Sequence, residues 1–210
     1  MTGNNLTSVP DLSNLTNLAS LSLDDNALTT FPPSILNLSK LQSLWLGDFA
    51  AGNQITSIPD NIGQLSNLTR LLLDSNKLTQ IPATIYNLTN LTELSINNNQ
   101  LASLPDNLGN LSKLTTLNLA GNQLTSLPSS LQNLTNLHGF SVSQCLPPTN
   151  YPTVLNGLGI VGGALNYETQ DQLLLKTGLT PNSIASKTDY NNLNFGNKVT
   201  LQSGKSLSSS

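Results

Sequence analysis

One short pattern, L-x-x-L-x-L-x-x-N, limits what this chain can fold into more than any other feature. Its plainest copy is Leu68-Thr69-Arg70-Leu71-Leu72-Leu73-Asp74-Ser75-Asn76, and it returns at Leu18 to Asn26, Leu91 to Asn99 and Leu114 to Asn122. Altered copies run from Leu41 to Asn53 and from Leu137 to Cys145. The equivalent slots are Asn4, Asn26, Asn53, Asn76, Asn99, Asn122 and Cys145, spaced by 22, 27, 23, 23, 23 and 23 residues. A period in the twenties defines units that cannot each bury an apolar face alone and must stack on their neighbours.

Each unit has two halves. In Leu91-Thr92-Glu93-Leu94-Ser95-Ile96-Asn97, Leu94 and Ile96 alternate with polar neighbours, the period of a half-buried strand. Asn99 then falls in a tight turn, where a short amide reaches backbone groups that would otherwise be unpaired. The seven equivalent slots, Cys145 included, are expected to form a buried ladder. In the second half Ile62, Leu65 and Leu68 recur every three residues, which predicts a short 3₁₀ or helical turn. The prolines at 10, 32, 59, 82, 105 and 128 can start such turns without losing a needed donor.

With this motif and period, the chain resembles the leucine-rich-repeat family over residues 4 to 145. The resemblance implies an α/β solenoid: a curved right-handed superhelix with a parallel sheet on its concave face and short turns on its convex face. The solenoid is assigned to 1–145, about six repeats of 22–27 residues, and a C-terminal flank to 146–210. The flank has no leucine-rich period. Short runs such as Gln172-Leu173-Leu174-Leu175 and Lys198-Val199-Thr200-Leu201 point to a small β-rich module or cap, with Lys205 to Ser210 a disordered tail. It is similar in a general way to the flank of bacterial surface proteins of the internalin type.

Composition excludes several functions. Charged residues are 9% of the chain, net charge is −3, and the eight Lys and Arg are scattered, so no basic stripe exists to neutralise nucleic-acid phosphates. The one cysteine excludes internal disulfides, and the one histidine removes most metal sites and proton relays. No cofactor, no metal and no catalytic residue is therefore expected. No apolar run approaches the roughly 18 residues of a membrane span. Because Met1-Thr2-Gly3-Asn4-Asn5-Leu6 enters in mid-repeat, the chain is read as a fragment of a longer protein whose signal and anchor lie elsewhere.

On a strand-lined concavity, the surface can be tabulated by column. The first column is Ser20, Ser43, Arg70, Glu93, Thr116 and Gly139; the second is Ser22, Trp45, Leu72, Ser95, Asn118 and Ser141; the third is Asp24, Gly47, Asp74, Asn97, Ala120 and Ser143. Most are small and polar. Trp45 and Leu72 lie side by side among them, with Phe49 in the four-residue insertion of the third repeat, an arrangement typical of interface anchors. Ligand contacts are assigned to Trp45, Phe49, Arg70, Leu72, Asp74, Glu93, Asn97 and Asn118. The bland alternative is that Phe49 or the flank covers Trp45. Arg70 and Glu93 read equally well as a surface pair worth ~0–1 kcal/mol.

Other motifs carry less. Cys145 is a structural turn residue rather than a reactive thiol, and His138 has no partner fixed near it. Asp24, Asp25, Asp48 and Asp74 lack a calcium loop and are read as a solvated rim. Gly157-Leu158-Gly159-Ile160-Val161-Gly162 matches G-x-G-x-x-G but has no acidic residue about twenty positions on, so it is read as a turn region. Eight N-x-S/T sequons, beginning with Asn5, Asn14 and Asn37, are assigned to the repeat's own turn chemistry rather than to glycosylation. Extracellular eukaryotic members of the family usually close their ends with disulfide-bonded caps, so a bacterial, secreted or surface-displayed protein is expected. Its function is read as protein or glycan recognition on the concave face. The alternative is a structural spacer that self-associates through an uncapped N-terminal edge.

Overall fold

The computed structural model describes residues 1–48, 51–137 and 139–142, and the backbone of two short C-terminal strands. Six strands make one parallel sheet in sequence order: β1 (Ser20–Ser22), β2 (Ser43–Gly47), β3 (Arg70–Leu73), β4 (Glu93–Ser95), β5 (Thr116–Asn118) and β6 (Gly139–Ser141). Five 3₁₀ turns lie between them: η1 (Pro33–Asn37), η2 (Asp60–Gln64), η3 (Ala83–Asn87), η4 (Leu108–Asn110) and η5 (Ser129–Asn133). Alternation of strand and short turn at a fixed period is the predicted solenoid.

Register follows the repeat, so Leu21, Leu44, Leu71, Leu94, Leu117 and Phe140 are successive partners across the sheet, and all are buried. Leu23, Leu46, Leu73, Ile96, Leu119 and Val142 form a second buried column. On the convex side Ile35, Ile62, Ile85, Leu108 and Leu131 are buried within the 3₁₀ turns. Pro32, Pro59, Pro82 and Pro128 immediately precede four of those turns. Two prolines depart from the expectation. Pro10 starts no 3₁₀ turn, and η4 begins after Asn107, three residues beyond Pro105's position.

The asparagine ladder forms at Asn26, Asn53, Asn76, Asn99 and Asn122, all buried. Each amide joins two repeats. Asn99 Nδ2 donates to the carbonyls of Ile96 (3.2 Å) and Asn97 (3.0 Å) in its own turn and of Leu73 (3.0 Å) in the preceding strand. Its Oδ1 accepts from Leu78 N at 3.0 Å, also in the preceding repeat. Asn53, Asn76 and Asn122 accept in the same way from Leu28, Ile55 and Leu101.

Asn4 does not join the ladder: it is exposed and its Nδ2 turns to the Thr2 carbonyl at 2.7 Å, because no strand of the described residues lies on its outer side. Cys145, expected in the last slot, lies outside the described residues, as do Phe49, His138, Ser143, the glycine run 157–162 and 172–175. Of the flank, Asn194–Phe195 (β7) and Val199–Thr200 (β8) pair antiparallel, the second within the predicted run 198–201.

Outside the core, a second set of contacts ties the repeats together just before the strands. Thr69, Thr92 and Thr115 donate their hydroxyls to the carbonyls of Gln42, Thr69 and Thr92. The amides of Asn67, Asn90 and Asn136 reach the carbonyls of Ser39, Ser66 and Ser112 at 2.7–2.9 Å. Two sequon asparagines, Asn67 and Asn90, are thus occupied by inter-repeat bonds. The N-terminal edge is not bare, since Gly3 N reaches the Asp24 carbonyl and the Leu6 carbonyl accepts from Ala27 N at 2.9 Å.

Replacing Asn99 with Ala strips buried partners from both repeats at once. Asn99→Ala is expected to lower unfolding free energy by at least ~1–3 kcal/mol, the cost of a buried unsatisfied group, measured by urea denaturation.

Candidate binding face

The strands project alternate side chains to the concave side, where the register sets Ser22, Trp45 and Leu72 side by side, followed by Ser95 and Asn118. Trp45 and Leu72 are both half-buried, neither open nor covered. Arg70, one strand over and at the preceding column, folds back so that its guanidinium carbon lies 5.9 Å from the centroid of the Trp45 ring. Its Nε donates to Glu93 Oε2 at 2.7 Å, with the two side chains 49% and 26% exposed. Trp45, Arg70 and Glu93 are thereby one contiguous row across β2, β3 and β4. Pairing of Arg70 with Glu93 was legible from their shared column; stacking of Arg70 on Trp45 was not, although both residues sit on the face whose columns the repeat defines.

The third column behaves differently from a solvated rim. Asp74 is 3% exposed and Asn97 is 7% exposed. Asp74 Oδ1 accepts from Ser95 Oγ (2.8 Å) and from Asn97 N (2.5 Å), while Asn97 Nδ2 bonds Ser95 Oγ and Asn97 Oδ1 accepts from Ala120 N at 2.9 Å. Asp24 is buried as well, bonded to Thr2 and Ser22. Asp74 and Asn97 satisfy backbone donors where the strands end, and Asp24 satisfies hydroxyls, which is why they leave solvent. Asp74 and Asn97, assigned to ligand contact, are occupied in the fold; Asn118 remains half-buried on the face.

A bulge in β2 explains a further difference. Gly47 pairs with Leu73 instead of Asp74, so the third column is interrupted there. The strand end lies so close to its neighbour that a Cβ on Gly47 would sit 1.8 Å from the Asp74 carbonyl oxygen, and one on Gly52 would sit 2.0 Å from that of Ser75. The inserted segment between them closes on itself through Asp48 N to Ala51 O and Ala51 N to Asp48 Oδ1, both 2.8 Å. Ser75 Oγ also bonds the Asp48 carbonyl at 3.1 Å. Phe49, expected beside Trp45, is outside the described residues; among the described residues Trp45 and Leu72 are the large apolar pair of the face.

Burial pushes the Asp74 carboxyl up to about 6; hydrogen bonds from Ser95 and Asn97 oppose the rise, and the Asp48 and Glu93 carboxylates add to it. Among the described residues no group of His, Cys, Asp and Glu is arranged to hold a metal ion, and no helix is long and apolar enough to cross a membrane.

Comparison with known proteins agrees with this architecture. Residues 2–101 match the family model for a leucine-rich repeat region and residues 113–134 match that for the leucine-rich repeat, together more than half of the chain. The chain belongs to the leucine-rich-repeat family. Among curated proteins, none matches. Among solved structures it is similar to a leucine-rich-repeat protein of Leptospira interrogans, with 31% identity and a TM-score of 0.60, over 81% of this chain and 50% of that one. It is also similar to a plant peptide hormone receptor, RGFR1, solved in complex with RGF2, with 32% identity and a TM-score of 0.62 over 72% of this chain and 25% of the receptor. An internalin from Listeria monocytogenes gives 28% identity and a TM-score of 0.59, over 75% of this chain and 50% of the internalin. The chain thus spans half or less of the length of these relatives. Leucine-rich-repeat proteins act as protein-binding scaffolds.

The folded Asp74 holds its proton more tightly than an unfolded aspartate, so its charge costs stability above pH 6 and that cost disappears as pH falls towards 4. Asn retains an oxygen acceptor for Ser95 and Asn97 without the charge. Asp74→Asn is therefore expected to raise stability by ~1–3 kcal/mol at pH 7.5 and by almost nothing at pH 4, read from denaturation curves at both values.

Proposed function

We propose that the chain is a non-enzymatic recognition module that holds a protein or peptide on the concave face of its sheet, around Trp45 and Leu72. The observation that carries this reading is the half-buried Trp45–Leu72 pair, register partners on a face otherwise made of small polar side chains. Aromatic and aliphatic groups at the centre of a polar surround are the usual source of interface energy. Arg70 and Glu93 extend the row and are already held in place, so ordering them on binding loses little entropy.

Likeness to the plant receptor solved with its peptide and to the Listeria internalin supports the protein or peptide class of ligand. Likeness to the Leptospira and Listeria proteins favours a bacterial protein displayed at the surface or secreted. The test begins with Trp45, the chain's one tryptophan. Partners captured by the wild-type protein are compared with those captured by Trp45→Ala, and affinity for each is then measured. Trp45→Ala is expected to weaken binding by ~2 kcal/mol or more with an unchanged melting curve. Equal affinity in the variant would remove the concave face as the site.

A further inference from the structure

Resting on the concave face as the binding face, we propose that Arg70 and Glu93 select an uncharged peptide segment as its partner. The pair takes an N–H and a C=O of that segment together, while an apolar side chain beside them covers Trp45 and Leu72. In the first two columns of the face, Arg70 and Glu93 are the only ionisable residues, and the rest besides Trp45 and Leu72 are Ser, Thr, Asn or Gly. The charges of the pair cancel, so the centre of the face has no net charge. Carboxylates at the strand ends are engaged within the fold: Asp24 and Asp74 are buried in hydrogen bonds, and Asp48 closes the inserted segment.

The pair leaves donors and an acceptor available side by side. Arg70 uses only its Nε on Glu93, at 2.7 Å to Oε2. Within the described residues, the Nη groups of Arg70 and the Oε1 of Glu93 have no other hydrogen bond. Both side chains reach solvent, at 49% and 26% exposure. The guanidinium lies 5.9 Å from the centroid of the Trp45 ring, and Leu72 follows Arg70 by two residues on β3. The unused polar groups therefore adjoin the apolar pair.

Charge complementarity then decides between partners. A carboxylate would gain Arg70 but meet Glu93, and an ammonium would gain Glu93 but meet Arg70, so each member of the pair opposes the ion that the other attracts. A neutral group that is both acceptor and donor satisfies the two at once. Peptides offer it in two forms. A residue in an extended segment turns its own N–H and C=O to the same side, and the carboxamide of Asn or Gln presents an N–H and a C=O along one edge. In either form the C=O accepts from an Arg70 Nη and the N–H donates to Glu93 Oε1, as charge-assisted hydrogen bonds.

The experiment selects a displayed library of random peptides on the full chain and on its Glu93→Gln, Arg70→Met and Trp45→Ala variants. Synthetic copies of the enriched peptides are then followed by fluorescence anisotropy. Peptides selected by the wild-type chain are expected to be uncharged beside their apolar residue, and to change affinity less than about twofold between about 50 and about 300 mM salt. Glu93→Gln keeps an acceptor for Arg70 Nε without the charge and is expected to shift preference to acidic peptides, and Arg70→Met to basic ones, each by about tenfold. A general loss of structure would weaken every peptide alike and could not reverse preference. N-methylation beside the apolar residue, and replacement of Asn or Gln in the peptide by Ala, separate a main-chain from a side-chain contact. A charged consensus from the wild-type chain, no enriched peptide, or affinity indifferent to both peptide changes would overturn the proposal. So would variants at Arg70 and Glu93 that leave preference unchanged. If such peptides are still lost on Trp45→Ala, the concave-face reading survives that failure. Peptides bound equally by wild type and Trp45→Ala would overturn both.

Discussion

The amide of one asparagine per repeat is the interaction on which the rest of this solenoid depends. Where each strand ends, the chain turns inside the molecule, and its carbonyl and N–H groups have no sheet partner and no water. Asn76 shows the solution: its Nδ2 serves the carbonyls of Leu73 and Asp74 in its own turn and of Leu46 in the previous strand, while its Oδ1 takes Ile55 N. An aspartate could not donate, and a glutamine would be a methylene too long. Since both ends of the amide also touch the preceding repeat, the same group that closes the turn fixes the spacing and register of the strands. Trp45 and Leu72 are neighbours because Asn53 and Asn76 are.

Repetition made the fold legible, and departure from repetition made parts of the face illegible. Leucines spaced for a half-buried strand and threes-spaced Ile62, Leu65 and Leu68 announced the strand and the 3₁₀ turn, because burial repeats identically in every unit. Polar residues gave a less direct signal. Asp74 and Asn97 read as surface groups from their chemistry, yet they serve backbone donors of the following repeat and are buried. Ser95, two residues before Asn97, bonds both Asn97 and the Asp74 of the preceding repeat, and that link has meaning only once the two repeats are laid side by side. The bulge at Gly47 and the stacking of Arg70 on Trp45 depend on side-chain direction across strands, which column counting does not contain. At Pro10 the same proline precedes no 3₁₀ turn. Residues 146–210, lacking a period, offered no comparable handle.

Burial also shapes the chemistry of the face. Polar groups that would hold a ligand loosely if they were free are committed to backbone bonds at the strand ends, leaving the row of Trp45, Arg70, Leu72 and Glu93 as its chemically distinctive part. Its residues are restrained by one another, the guanidinium lying between an aromatic ring and a carboxylate. Such a row is held in one shape by its own contacts.

The insertion in the third repeat has a consequence for how the molecule can vary. Its base is closed by the paired bonds of Asp48 and Ala51, and the glycines on either side lie too near the next turn for any larger residue. Length added between those two bonds would leave the strands, the amide ladder and their spacing untouched. The solenoid therefore has a place at the rim of its concave face where new sequence can be accepted without renegotiating the frame, so the surface of that rim and structural integrity can change independently.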